Sequence, residues 1–267
     1  PFQYSRYWFD ATPVLQSLPT SMAHPILGDQ QHVPPPKHAY ISTIKADAPA
    51  FLGDHKILGR IIFPAAAYVE MALAAGEILL GKGLITLSDL SIDAPLELHS
   101  DTMSTIHTDI EPADDSRFSL TIREVPDEAG APWRTLSRTQ VSRAFPADKL
   151  DMPNVAEARQ ICLEALDVGA HYGRLESLGL NYGPAFRGLE TLYQGDGIAV
   201  GTAVLPDAAK DMASYKFHPA LLDSVFHAIS ALVPHDGEPQ LYLPTRIDRI
   251  EWKQPPPQRV VVVARLR

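Results

Sequence analysis

Two segments of the chain repeat one pattern, and that repeat limits the fold more than any other feature. In "IIFPAAAYVEMALA" (61–74) and "YKFHPALLDSVFHA" (215–228), the pattern reads as a strand ending in an aromatic residue, then a proline, then a buried helix. Pro64 and Pro219 suit the first position of a helix, where no N–H is needed. The first helix would place Tyr68, Met71, Ala75 and Ile78 on one face, and the second Leu222, Val225, Phe226 and Ile229. Self-similarity of this length reads as a fused duplication rather than a solenoid. Around the two helices, "TMSTIHTDIEP", "RFSLTIREV", "WRTLSRTQVSRA", "GIAVGTAVL" and "RVVVVARLR" carry the β-branched content and partial alternation of antiparallel strands. The expected class is therefore α+β, a buried helix wrapped by an antiparallel sheet, made twice.

Prolines mark the segment boundaries. "HVPPPKH" (32–38), "AFPADKLDMP" (144–153) and "KQPPPQ" (253–258) fit neither a helix nor a central strand. The middle stretch predicts a linker at 146–160, between a first half at 1–145 and a second at 161–267. "NVAEARQICLEAL" reads as a third, surface helix with Asn154 as its N-cap. The chain starts without methionine and ends in mid-strand at Arg267, so it reads as a piece of something longer.

With 267 residues, 45% of them hydrophobic, a large core is affordable. The net charge of −9 and the scattered Lys and Arg argue against nucleic acid. Cys162 is alone, so no intrachain disulfide forms and a cytoplasmic setting is expected. No apolar run approaches the length of a membrane span, and "PFQYSRYWFD" lacks the apolar core of a signal peptide.

Three places could carry chemistry. In "DHKILGRIIFP" (54–64), His55 precedes an apolar strand, Gly59 permits a tight bend, and the helix after Pro64 offers free N–H groups from Ala65, Ala66 and Ala67. His55 is either a strand-edge histidine or a base beside a carbonyl-polarising helix start. In "HPALLDSVFH" (218–227), Asp223 interrupts an apolar helix, and His227 follows at i+4 on the same face. That pair is either structural or a carboxylic acid whose pKa burial has raised, able to donate a proton near neutrality. In "LGLNYGPAFRGLE" (178–190), Tyr182, Gly183 and Pro184 form a turn with Phe186 behind it, and Tyr182 is either an anchor or a hydroxyl donor. His218 and His227 fall on opposite helix faces, and His24, His32 and His38 lie on an irregular stretch, so no metal site is expected. Nucleotide loops and a serine nucleophile elbow are lacking.

These residues resemble the dehydratase domains of modular type I polyketide synthases. The family's H-x-x-x-G-x-x-x-x-P matches His55, Gly59 and Pro64; its D-x-x-x-Q/H matches Asp223 and His227; its Y-G-P matches Tyr182, Gly183 and Pro184. "HPILG" (24–28) is similar to the opening segment, and "PFQYSRYWF", within residues 1–20, to the linker after an acyltransferase. Two departures stand out: Ala65 replaces the usual glycine after the motif proline, and the chain ends short of the family's length.

The resemblance implies a double hotdog fold and a β-hydroxyacyl substrate, thioester-linked to the phosphopantetheine of an acyl carrier protein. In it His55 removes the α-proton and Asp223 protonates the departing hydroxyl, while Tyr182 and His227 orient the acid. Backbone N–H groups near Gly59 or Ala65 would polarise the carbonyl. The domain itself would bind no cofactor and no metal. Its partners would be the carrier protein and neighbouring synthase domains, in a homodimer serving secondary-metabolite assembly. Three rivals share the motifs or the fold: a dehydratase that also closes a pyran ring by oxa-Michael addition, a hotdog thioesterase, and a catalytically silent structural domain.

Overall fold

The computed structural model describes residues 24–128, 130–143, 154–209, 212–233 and 240–266. The linker stretch at 144–153 and the N-terminal segment 1–20 lie outside them. In chain order the regular elements are β1 (Asp29–Gln31), β2 (His38–Ile44), β3 (His55–Ile57), β4 (Arg60–Ile61), α1 (Ala65–Leu80), β5 (Ile85–Ile92), β6 (Ser104–Pro112), β7 (Arg117–Val125) and β8 (Arg134–Arg143). They continue with α2 (Val155–Ile161), β9 (Glu164–Leu166), α3 (Val168–Ser177), β10 (Leu180–Tyr182), β11 (Leu189–Gly195), β12 (Ile198–Val204), α4 (Pro219–His227), β13 (Arg246–Trp252) and β14 (Arg259–Arg265).

A seven-stranded antiparallel sheet, in the order β1-β2-β6-β7-β8-β5-β13, packs on α1; a four-stranded one, β14-β12-β11-β9, packs on α4. The strands predicted from alternation all form. In β6, for example, Ile106, Thr108 and Ile110 point inward while their neighbours stay partly exposed. α1 is buried all round from Ala66 to Gly76, which its near-continuous run of small and apolar residues allows. Ile78 lies beyond that stretch and is exposed, as is Ile229 after the end of α4, so the predicted faces hold only for the earlier residues of each set.

The halves exchange strands, so the division between them is not a clean cut. β13, from beyond residue 161, pairs with β5, and β10 pairs with β3 in a small third sheet, β10-β3-β4. The chain positions His55 and Tyr182 through this last pairing, since the two are direct partners in its register.

Two elements differ from the sequence reading. α2 stops at Ile161, and Glu164–Leu166 leaves the predicted helix to pair as an edge strand with β11. Tertiary pairing overrides a modest helical preference there. Asn154 does cap α2, accepting from the Ala156 and Glu157 N–H groups. The second difference is that "YKF" before α4 is not a strand. The Lys216 and Phe217 N–H groups donate to the Glu70 carboxylate at 2.6 and 2.7 Å instead of joining a ladder.

Glu70 is thus a clamp between α1 and the start of α4. It is fully buried, and His24 of the opening "HPILG" donates to it from Nε2 at 2.9 Å while its Nδ1 accepts the Leu27 N–H. Burial pushes the Glu70 carboxyl above its ordinary value, against the pull of His24 and the two backbone donors. Removing the carboxyl would strand three donors in the core. Glu70→Ala is expected to lower the unfolding free energy by about 3–5 kcal/mol. Urea denaturation followed by circular dichroism measures it, and a loss below about 1 kcal/mol would show that the clamp contributes little.

Candidate active site

His55 opens β3 and is 4% exposed. Its Nδ1 lies 2.7 Å from the Ile62 carbonyl. A carbonyl only accepts, so Nδ1 carries the proton and the neutral ring presents a bare Nε2. The same hairpin closes with the Ile62 N–H donating to the His55 carbonyl at 3.1 Å. Its two-residue turn, Leu58–Gly59, has φ of 50° and 79°. Glycine accepts such angles freely, so Gly59 makes the hairpin that aims His55. Gly59 itself sits at the exposed tip, away from the cavity described below.

Asp223 reaches the same point from the other half. Pro219 is the first residue of α4, with His218 as the cap, its Nδ1 accepting the Ala220 N–H at 3.1 Å. One turn on, the Asp223 carboxylate is 5% exposed. Its Oδ2 stands 2.9 Å from His227 Nε2 and 3.8 Å from His55 Nε2.

The expected upward shift of the Asp223 pKa is not found. Burial does push it up, but the charge and hydrogen bond of His227, with His55 behind them, outweigh burial and hold the carboxyl below its ordinary value. His55 moves the other way from a paired histidine: burial lowers its pKa, only partly offset by Asp223. These two directions favour a neutral His55 and an ionised Asp223.

Tyr182 closes the third side. Its ring centroid is 4.1 Å from that of His227 and 5.5 Å from that of His55. Burial first, and then the Asp223 charge, push its pKa far up, so the phenol keeps its proton. Asp54, the neighbour of His55, fixes the turn that follows: its carbonyl accepts the Gly183 N–H and its Oδ2 the Ala185 N–H. A Cβ on Gly183 would fall 2.3 Å from the Asp54 carboxylate, so glycine is required by contact and not by φ. Pro184 starts the short 3-10 turn Pro184–Phe186 that buries Phe186 against His55.

A cavity of about 370 Å³ joins these groups, with His55, Asp223, His227 and Tyr182 on an otherwise apolar wall that includes Phe63 and Phe226. Ala65 lines it too, as the first residue of α1; Pro64 is the cap, one place earlier than predicted. Ala67 donates to the Pro64 carbonyl, which leaves the Ala65 and Ala66 N–H groups as the first-turn donors. Tyr242 and Leu243 line the cavity while staying largely exposed, which puts them at its mouth. Sequence reasoning missed these two, Asp54, and Tyr172 of α3, whose hydroxyl is 3.3 Å from His227 Nδ1. Asp54 was next to the motif histidine, but nothing in the spacing marked Tyr172 or the segment at 242–245.

Fold and site together define a double hotdog domain whose cavity brings a histidine of one half beside a carboxylate of the other. Comparison with known proteins narrows this. A model described as "Polyketide synthase dehydratase domain" matches residues 24–125, and one described as "Polyketide synthase dehydratase N-terminal domain" matches 150–267. The dehydratase domain from the CurF module of curacin polyketide synthase superposes with a TM-score of 0.84 at 26% identity, covering 92% of this chain and 88% of that one. An inactive aspartate-to-asparagine variant of the CurK dehydratase gives 0.83 at 26%, covering 91% and 88%; an inactive histidine-to-phenylalanine variant of it gives 0.84 at 25%, with the same coverage. Among curated relatives, spectinabilin polyketide synthase system protein NorA' of Streptomyces orinoci is 30% identical over 89% of the chain, and polyketide synthase PksN of Bacillus subtilis 27% over 94%. The chain spans only 7% and 5% of those two proteins. It belongs to the polyketide synthase dehydratase domains.

Proposed function

We propose that this domain removes water from a β-hydroxyacyl thioester, carried on the phosphopantetheine of an acyl carrier protein, to give the α,β-unsaturated thioester. The observation that carries the reading is the His55 tautomer: the Ile62 carbonyl claims Nδ1, and the bare Nε2 faces Asp223 across 3.8 Å. His55 takes the α-proton, the electron pair forms the double bond, and the β-oxygen leaves as a proton reaches it by way of Asp223. The α-proton of a thioester is weakly acidic, so the carbonyl needs a donor; the Ala65 N–H at the start of α1 is the best placed. Acid and base lie close enough to serve one face of the Cα–Cβ bond, which favours loss of the proton and the hydroxyl from the same side. The two inactive CurK variants, one of an aspartate and one of a histidine, support the same pair of roles.

The apolar wall suits an acyl chain, and the arm would enter past Tyr242 and Leu243. Elimination is proton transfer alone, so these residues need no cofactor of their own. Neighbouring synthase domains, a homodimer and a cytoplasmic setting complete the reading; no helix among the described residues is long and apolar enough to cross a membrane.

The test is incubation with a panel of β-hydroxyacyl pantetheine thioesters and mass spectrometry of the products. Loss of one water with the thioester intact is expected. Free acid would instead indicate a thioesterase, and unchanged substrate a silent domain. A substrate with a distal hydroxyl separates simple dehydration from ring closure, since a cyclised product keeps the enoyl mass but lacks the enoyl absorbance.

A further inference from the structure

Asp223 is one end of a buried chain of polar groups whose other end is the Tyr172 hydroxyl. That hydroxyl accepts the Leu189 N–H at 3.2 Å and lies 3.3 Å from His227 Nδ1 and 3.4 Å from the Phe186 carbonyl. A phenol has one proton and two lone pairs. Leu189 occupies one lone pair, so the proton has two alternative acceptors. Aimed at Nδ1, it demands a neutral His227 whose own proton is on Nε2. Turned to the Phe186 carbonyl, it frees the second lone pair to receive an Nδ1–H. His227 then keeps Nδ1 protonated whether Nε2 carries a second proton, as the imidazolium, or has given it up, with no heavy atom moving. Nε2 faces Asp223 Oδ2, 2.9 Å away, as donor to the carboxylate or as acceptor from the acid.

We propose that Tyr172 is a positioning residue that makes His227 a proton reservoir for Asp223, so that the acid of this site is the Asp223–His227 pair and not a lone carboxyl. The proposal rests on the acid and base roles given above. As the β C–O bond breaks, its electron pair leaves with the oxygen, which takes a proton by way of Asp223; His227 Nε2 supplies it and keeps its other proton on Nδ1, which the Tyr172 oxygen accepts. His55 has meanwhile gained the α-proton. After product leaves, that proton crosses from His55 Nε2 to Asp223 Oδ2, 3.8 Å apart, and restores the pair. The downward shift of the Asp223 carboxyl agrees with an ionised resting state.

Other groups also face His227. Tyr182 lies tilted against its ring, His171 Nε2 contacts its carbonyl, and His55 lies across the cavity. Arg187 sits over the Tyr172 ring at 5.5 Å, and Arg174 donates to the Ser230 carbonyl. Of the charges, the Asp223 carboxylate is in direct contact, so it dominates.

The test compares wild type, Tyr172→Phe and His227→Gln on a β-hydroxyacyl pantetheine thioester across pH. Glutamine keeps a donor to Asp223 but cannot hold the reserve proton. Tyr172→Phe should lower kcat about tenfold, the worth of one hydrogen bond, with KM little changed. In both variants the alkaline limb of kcat should move to lower pH. In wild type, 15N spectra should show both His227 nitrogens protonated near neutral pH. A singly protonated His227, or an alkaline limb that superimposes in wild type and His227→Gln, would overturn the reservoir. His55→Phe and Asp223→Asn run alongside: if they are inactive while that overturning result is found, only the reservoir fails; if they turn over normally, the assigned roles fail with it. Should Tyr172→Phe not fold, the spectrum of wild type and the His227→Gln profile still decide.

Discussion

His55→Phe is expected to cut enoyl formation by roughly 10²–10⁴-fold, the usual worth of a positioned general base, and to leave the domain folded. Phenylalanine fits because the ring already packs on Phe186 and Tyr182, at 5.1 and 5.5 Å between centroids. Folding loses one hydrogen bond, to the Ile62 carbonyl, at a cost of about 1–3 kcal/mol if that acceptor stays dry. It also no longer has to desolvate an imidazole. Activity should therefore collapse while the circular dichroism spectrum is kept. In wild type, only neutral His55 can take a proton, and burial holds its pKa below the ordinary value of 6.5. The acid limb of kcat/KM should then lie below pH 6.5, with activity rising through it as pH increases. An acid limb above that value, or a His55→Phe variant with wild-type rates, would remove His55 from the role.

The shifts at His55 and Asp223 have a shared consequence for stability. Both groups bind protons less readily folded than unfolded, so the unfolded chain takes up more protons on acidification. Their contributions are complete above the unfolded values and decline as pH falls, that of His55 from about 6.5 and that of Asp223 from about 4. Acid thus weakens the fold at the place where it also protonates His55.

Much of this was legible in the sequence because spacing survives folding when it lies within one element. Asp223 and His227 are one helical turn apart, and their 2.9 Å contact follows directly. Gly59 marked a turn, and its φ of 79° bears that out. What spacing does not carry is contact between distant elements. Tyr172 and His227 meet across 55 residues of chain, and Glu70 is reached from His24 on one side and from Lys216 and Phe217 on the other. The same reason explains the two misread elements: "YKF" lost its ladder to Glu70, and Glu164–Leu166 gained one from β11. The direction of the Asp223 shift was misjudged for another reason. Burial and the i+4 place of His227 were both visible, but not that the charge and hydrogen bond of His227, with His55 behind them, outweigh burial.

Asp223→Asn should be as damaging as the loss of His55 on a β-hydroxy substrate, roughly 10²–10⁴-fold, but the defect should depend on the leaving group. Asparagine keeps the size of the side chain and still accepts the His227 Nε2–H, so the geometry is preserved. What it cannot do is give a proton to departing oxygen, and hydroxide is a poor leaving group without one. Fluoride departs as an anion and needs little such help. With a β-fluoroacyl pantetheine thioester, Asp223→Asn should recover to within about tenfold of wild type, whereas His55→Phe should stay inactive, because the α-proton must still be removed. Fluoride release and enoyl absorbance follow both reactions. Equal defects in Asp223→Asn on the two substrates would mean that the carboxyl acts by orienting the substrate or supporting the fold, and the proton would then have to come from another group in the cavity, such as His227 or the Tyr182 phenol.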